Sequence, residues 1–244
     1  RPDAGQVAPR VAIEQNDDDE VEASYGNPLL DRQQADNFDA SLEWYINRDS
    51  VLSVGVFAKQ IDGFIAELST NNVVVNGVAI DDGSTFANLS DADLFGFELN
   101  YQQSLDFLPS VLSGFIVNAN YTYVDSETTF QGRTISLPRQ SDTTANLILG
   151  YENGPIDLRL AWSYRDEYID ELNAGGAGVD RIVAEHSQVD FSAKYDVTDQ
   201  VQTFFEVKNL FDEPFQAVIR PAPGLELSSQ YEEYGMSAVF GVRW

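Results

Sequence analysis

The sequence predicts an all-β chain, a wall of transmembrane antiparallel β-barrel strands. Three observations predict it. Apolar and polar side chains alternate with period 2 through nine separate segments, the period at which a strand turns one whole face toward an apolar medium. The connections between segments alternate between short and long, as in an up-and-down membrane barrel. Tyr, Trp and Phe gather toward the segment ends, with Ala, Leu, Val and Ile between them, the arrangement that places amphipathic rings at both headgroup levels.

Composition narrows the alternatives. The chain has 244 residues, 40 acidic against 14 basic, and a net charge of −26. Such a charge repels phosphate backbones, so no nucleic-acid partner is expected. There is no Cys and only one His, His186, which excludes a disulfide scaffold, a thiolate site and a multi-His metal centre. No cofactor and no metal are expected. No stretch approaches the roughly 18 apolar residues of a spanning helix, a criterion that leaves strands untouched.

Taken in order, residues 1–33 are irregular. Pro2, Pro9 and Pro28 interrupt them, and Asp17, Asp18, Asp19 and Glu20 form an acidic run, so a long surface segment is expected. The first strand, about residues 35–47, sets Phe38, Ala40, Leu42, Trp44 and Ile46 on one face and Asp39 and Glu43 on the other. Asn47-Arg48-Asp49-Ser50 then signals a turn. Further strands run through Leu52–Ala58, Phe95–Tyr101, Phe115–Tyr123, Ala145–Tyr151, Ile156–Tyr164, Val189–Tyr195, Val201–Val207 and about 230–244. Short connections fall near 47–50, 104–111, 152–155 and 196–200, and long ones at roughly 68–93, 125–141, 167–187 and 211–230. Segments of about nine or more residues suit a tilted membrane crossing better than a soluble sandwich, whose strands are nearer 5–6. Trp44, Tyr101, Tyr151, Tyr195 and Trp244 are expected at the interface on the short-turn side, and Tyr121, Trp162 and Tyr164 on the long-loop side. The other face carries Glu98, Asn100, Asn146, Arg159, Arg165, Asp190, Lys194 and Lys208, which suits a wet lumen.

Several segments resemble a known family. Residues 26–67, with NFDASLEWY at 37–45 and LSVGVFAKQIDGFI at 52–65, look like the mid-barrel segment of TonB-dependent outer-membrane receptors. FFEVKNLFDEP at 204–214 looks like that family's penultimate-strand motif, and YEEYGMSAVFGVRW at 231–244 resembles its final strand. The resemblance implies the C-terminal nine strands of a 22-stranded barrel in the bacterial outer membrane. Residues 1–33 then form part of an extracellular loop and 34–244 the wall, and the plug domain lies outside this chain. It implies a receptor that binds a scarce nutrient, whether siderophore, metal chelate, vitamin or oligosaccharide, and imports it with TonB-supplied energy. The implied partners are lipid and lipopolysaccharide, the rest of the barrel with its plug, the TonB complex, and small-molecule cargo.

Candidate site residues follow from position. Arg165, Tyr168 and Arg220 fall at strand tops or in long loops, and His186 opens a strand on the polar phase with Gln188 and Asp190. All four are candidate ligand contacts. Asp17 to Glu20 offer hard carboxylate oxygens to a divalent cation, although without the alternation and Gly of an EF-hand; a solvated acidic loop is the plainer reading. Leu137-Pro138-Arg139 reads as re-entry into a strand. Neighbouring carboxylates such as Asp170–Glu171 could serve acid–base chemistry, but at this acidic content they are expected by chance, and no enzyme is predicted. A self-contained small barrel with a structural or adhesion role is the alternative; it needs an even strand count, hence one more strand within 1–33.

Overall fold

A computed structural model describes residues 2–8, 10–15, 21–75 and 77–244. In chain order, a one-turn helix α1 (Ala4–Val7) precedes β1 (Val11–Gln15), β2 (Val21–Tyr25), β3 (Gln34–Asn47), β4 (Ser50–Asp62), β5 (Ile65–Val75) and β6 (Val78–Asn88). Then come β7 (Ala92–Ser104), β8 (Phe115–Phe130), β9 (Arg133–Ile135), β10 (Thr143–Asn153), β11 (Ile156–Arg165) and β12 (Tyr168–Glu171). The chain finishes with β13 (Arg181–Val183), β14 (His186–Thr198), β15 (Val201–Lys208), β16 (Phe215–Ala222), β17 (Leu225–Glu232) and β18 (Ser237–Arg243).

Nine of these form the wall, in the order β18-β15-β14-β11-β10-β8-β7-β4-β3, with β9 folded back on β8. Every neighbouring pair in the wall is antiparallel. The sheet is open: among the described residues β3 and β18 pair with nothing on their outer edges. The expected strands are all present, and only the last is shorter than its alternation, because Gly235 at φ 72° breaks the chain before Ser237.

Register aligns the two faces across the sheet. Trp44 stands opposite Leu52, then Tyr101, Ala119, Leu147 and Trp162, with Val189 beyond. On the reverse face Glu43 faces Ser53, Asn100, Asn120, Asn146, Ser163 and Gln188, and the Asn146 amide donates to Asn120 Oδ1 at 2.9 Å. Among the described residues no second layer covers the apolar face: Leu42 is 73% exposed and Phe240 70%. The Trp44 row leaves β3 near its short-turn end and reaches β11 near its long-loop end. Five steps of about 4.8 Å between strands tilted near 40° raise such a row by about 15 Å, so one row touches both aromatic levels.

The short turns use local chemistry. Asn47 Oδ1 accepts the Asp49 N–H at 2.9 Å, an Asx turn, and Gly154 at φ 56° starts the two-residue link between β10 and β11, where a Cβ would be strained. Inside the wall, the Phe57 ring lies over Gly96; a Cβ there would sit 2.4 Å from the ring and 2.5 Å from the Tyr123 carbonyl oxygen.

The long connections correct the sequence reading. They are folded, and so are the described residues of the 1–33 segment, through α1, β1 and β2. Strands β1, β2, β6 and β5 form one four-stranded sheet, and β12, β13, β16 and β17 another. A parallel bridge between Leu68 and Leu172 joins them, with the Ser69 N–H donating to the Leu172 carbonyl at 3.0 Å. Leu172, Ala66, Leu89 and Phe130 are buried together beneath this seam. The loops therefore form a crown with its own core. Leu137 also departs from expectation. It does not re-enter a strand but is buried with Ile61 and Ala92, because its N–H bonds Ser126 Oγ at 3.1 Å and Arg139 turns at φ 61°.

Candidate functional site

Arg165 and His186 end β11 and open β14, directly opposite each other. Both stand on the polar phase of alternating strands, so the register points them to the inner side at the long-loop end. The Arg165 guanidinium lies over the Tyr168 ring at 4.6 Å and donates to the Asp166 and Ala184 carbonyls at 3.4 Å each. His186 Nε2 lies 3.4 Å from Gln188 Oε1; Gln188 donates to Asp190 Oδ1 at 2.8 Å. Sequence position thus gathers three of the four candidates.

Arg165 and His186 line a cavity of about 360 Å³ with Lys208, Glu213, Phe215 and Tyr234; Tyr168 stacks on Arg165 without lining it. Lys208 and Glu213 were not singled out from sequence, and the loop that places them was visible only as a motif. In it Asn209, at φ 55° and 8% exposed, donates to the Glu213 carbonyl at 2.9 Å and accepts the Glu213 N–H at 2.8 Å. Its own N–H bonds Asp190 Oδ1 at 2.9 Å. This closed loop turns the chain from β15 into the crown and holds Lys208 beside Arg165 and His186. Neither Arg165 nor Lys208 forms an ion pair within 4 Å among the described residues, whereas Arg133, Arg139, Arg159, Arg181, Lys194 and Arg220 all do. In a chain of net charge −26, the cavity brings Arg165 and Lys208 together with no carboxylate paired to either among the described residues, although Glu213 also lines it.

Arg220 is placed elsewhere. It grips Glu167 through two bonds of 2.7 Å and Glu226 through one of 3.0 Å. The Glu167 bonds raise the Arg220 guanidinium further above its ordinary range and hold the Glu167 carboxyl below its own, against an opposing effect of burial. Arg220 is a clasp between the β11–β12 link and β16. Just before β10, burial, and then Asp166, Asp125 and Glu167, push the Asp142 carboxyl up. Asp17, Asp18, Asp19 and Glu20 lie outside the described residues.

Other charged side chains tie the crown together. Arg139 reaches Glu67 at 3.3 Å and Asp170 at 3.5 Å; Asp170 also holds Arg181, which contacts Gln230. These residues come from all four long connections. Arg133 holds Asp180 through bonds of 2.8 and 3.1 Å. At the other end of the wall, Arg159 pairs with Glu152 and, at 3.1 Å, with Asp157, which also takes Lys194 at 3.2 Å. On the outer face Trp162 and Tyr164 stack at 6.0 Å and Phe115 meets Tyr151 at 4.9 Å; Trp44, Tyr195 and Trp244 are exposed.

Long antiparallel strands, apolar on one face and polar on the other, with folded loops at one end, define the class: wall of a membrane β-barrel. The family described as TonB dependent receptor-like, beta-barrel, matches residues 1–210, and the chain belongs to it. Its members are outer-membrane transport receptors. The "Probable TonB-dependent siderophore receptor PiuA" of Acinetobacter baumannii is 21% identical over 201 residues, 78% of this chain and 24% of that protein. The fold resembles the ferric enterobactin receptor PfeA of Pseudomonas aeruginosa, with TM-score 0.61, 13% identity, and 99% of this chain and 36% of that one covered. It also resembles the siderophore receptor PirA of Acinetobacter baumannii, with TM-score 0.53, 18% identity, and 80% and 30% covered. The chain thus spans about a quarter to a third of the length of these relatives.

Proposed function

We propose that this chain is the C-terminal nine strands of a 22-stranded outer-membrane barrel, with residues 1–33 as extracellular loop and 34–244 as wall. The short turns face the periplasm and the crown faces outward. The whole protein captures a metal chelate of the siderophore kind and imports it, with TonB-supplied energy transmitted through a plug inside the barrel. Lipid and lipopolysaccharide surround the apolar face. The observation that carries the reading is the cavity at Arg165, His186 and Lys208 beneath the crown, on the polar side of the wall. Cations without carboxylate partners suit the anionic oxygens that a chelator presents around a metal, and Tyr168 and Tyr234 supply aromatic surface beside them. The acidic exterior disfavours free polyanions and favours cargo whose charge is partly cancelled by its metal.

The experiment is cargo binding by the full-length protein carrying Arg165→Gln or Lys208→Gln, measured with an anionic ferric tris-catecholate and a neutral ferric hydroxamate. A hydrogen bond from a charged donor contributes about 1.5–3 kcal/mol, so each variant should bind the anionic chelate tenfold or more weakly while assembling normally. Deleting residues 71–88 should lower uptake and leave β4 and β7 intact. Undiminished binding of both chelates by both point variants would remove the cavity from the reading.

A further inference from the structure

The connection between β7 and β8, residues 105–114, differs from the other three at its end of the wall. Those turn through Arg48-Asp49, Gly154-Pro155 and Asp199-Gln200. This one carries Phe107, Val111 and Leu112, exposed at 69%, 58% and 46%, and closes on a 3-10 turn, Ser110–Gly114.

Two buried polar residues show which side of the wall it joins. Ser50 and Gln103 occupy the outward phase of β4 and β7, the phase of Leu52 and Tyr101, yet are only 2% and 6% exposed. Gln103 Nε2 donates to Ser50 Oγ at 2.8 Å and to the Ser104 carbonyl at 2.6 Å. Their amide and hydroxyl are closed off against each other and against the chain as it enters the connection. At the other end, a Cβ on Gly114 would lie 3.2 Å from the Tyr151 ring, and Tyr151 meets the outward Phe115. Both ends of the connection therefore merge with the outer, lipid-side surface and its aromatic level.

We propose that residues 105–114 form an interfacial foot, with Phe107, Val111 and Leu112 seated among the glycerophospholipid headgroups and upper acyl chains of the leaflet at the short-turn end. The occupant follows from continuity: the apolar patch extends the lipid-facing band at Tyr101, Phe115 and Tyr151, where short apolar elements bind by burying one face at the headgroup boundary. The foot fixes the depth at which β7 and β8 sit. This inference rests on the membrane reading above, and its test separates the two.

The chain has no Cys, so Val111→Cys offers a single labelling position in it for an environment-sensitive fluorophore. Leu112→Cys serves if Val111→Cys assembles poorly. The full-length protein, with any Cys elsewhere replaced, is placed in phosphatidylethanolamine–phosphatidylglycerol vesicles containing a shallow nitroxide lipid, with iodide as the aqueous quencher. Leu160→Cys marks the wall and Asp199→Cys a polar turn. The nitroxide lipid should quench the Val111 label several-fold more than the Asp199 label, and iodide should show the reverse order. A Val111 label that behaves like the Asp199 label overturns the foot. One shielded from both quenchers overturns it in favour of a protein partner. If the Leu160 label escapes a second nitroxide lipid that carries its spin label deep in the acyl chain, the membrane reading falls with it.

Discussion

Replacing Asp170 by Asn tests whether the four long connections act as one body. Asp170 holds Arg181 on one side and Arg139 on the other. The side chains of Asp170 and Arg181 are 17% and 15% exposed, while that of Arg139 is 59% exposed. Removing one charge from a buried pair costs about 3–5 kcal/mol, whereas an exposed pair contributes at most about 1. Asn keeps the shape and one acceptor, and Arg181 retains Gln230. A local loss of about 2 kcal/mol is therefore expected, which is roughly 30-fold in the opening equilibrium at 1.4 kcal/mol per decade. Hydrogen exchange on the assembled full-length protein reads this directly. Amides of β12 and β13, of β16 and β17, and near Ser69 should exchange about 30-fold faster, while those of β10 and β11 keep their rates. Acceleration confined to β12 would refute the idea that the contacts join the crown.

Three further outcomes are expected. Leu160→Arg, on the apolar face, should cost about 2–4 kcal/mol of barrel stability near the midplane, while Asn146→Ser on the polar face should cost little; equal effects in a refolding titration would contradict the face assignment. Because Arg220 lowers the Glu167 pKa, the pair is at full strength at neutral pH and weakens as pH falls below the ordinary glutamate range and through the folded value; crown protease resistance should fall there, and Arg220→Gln should remove that part of the pH dependence. Gly96→Ala should lower thermal stability by about 1–3 kcal/mol, since its methyl would meet the Tyr123 carbonyl; an unchanged melting curve would show that the Phe57 ring and the strand both yield.

The wall was legible because its information is local. Period-2 alternation in β3 or β11 needs no knowledge of a partner, and the same phase that put Leu160 outside put Arg165 and His186 inside. The crown was not legible because its pairings are distant and its strands are short. β2 lies parallel to β6, with Glu22 opposite Asp82, and the three residues of β13 find β16 across β14 and β15. Gly, Asn and Asp in these stretches mark turns, and they hide the short runs between. The ion pairs of Arg220 are hidden for the same reason: its position in a loop shows exposure, which the structure keeps, but not the β16 pairing that delivers it to Glu167. Lys208 stood on the right phase, but only the Asn209 loop brings it to the cavity.

Contacts that pass from Glu67 through Arg139, Asp170 and Arg181 to Gln230 also bear on how such a mouth can change its specificity. A loop that varied alone would strand a charge on its neighbour, so the four connections have to drift as a set. Grafting one connection from a relative onto this wall should therefore disorder the other three, whereas exchanging all four together should carry the donor's preference across intact. Selection for new cargo would act on the mouth as a single cassette, with the wall beneath it free to keep its own pace.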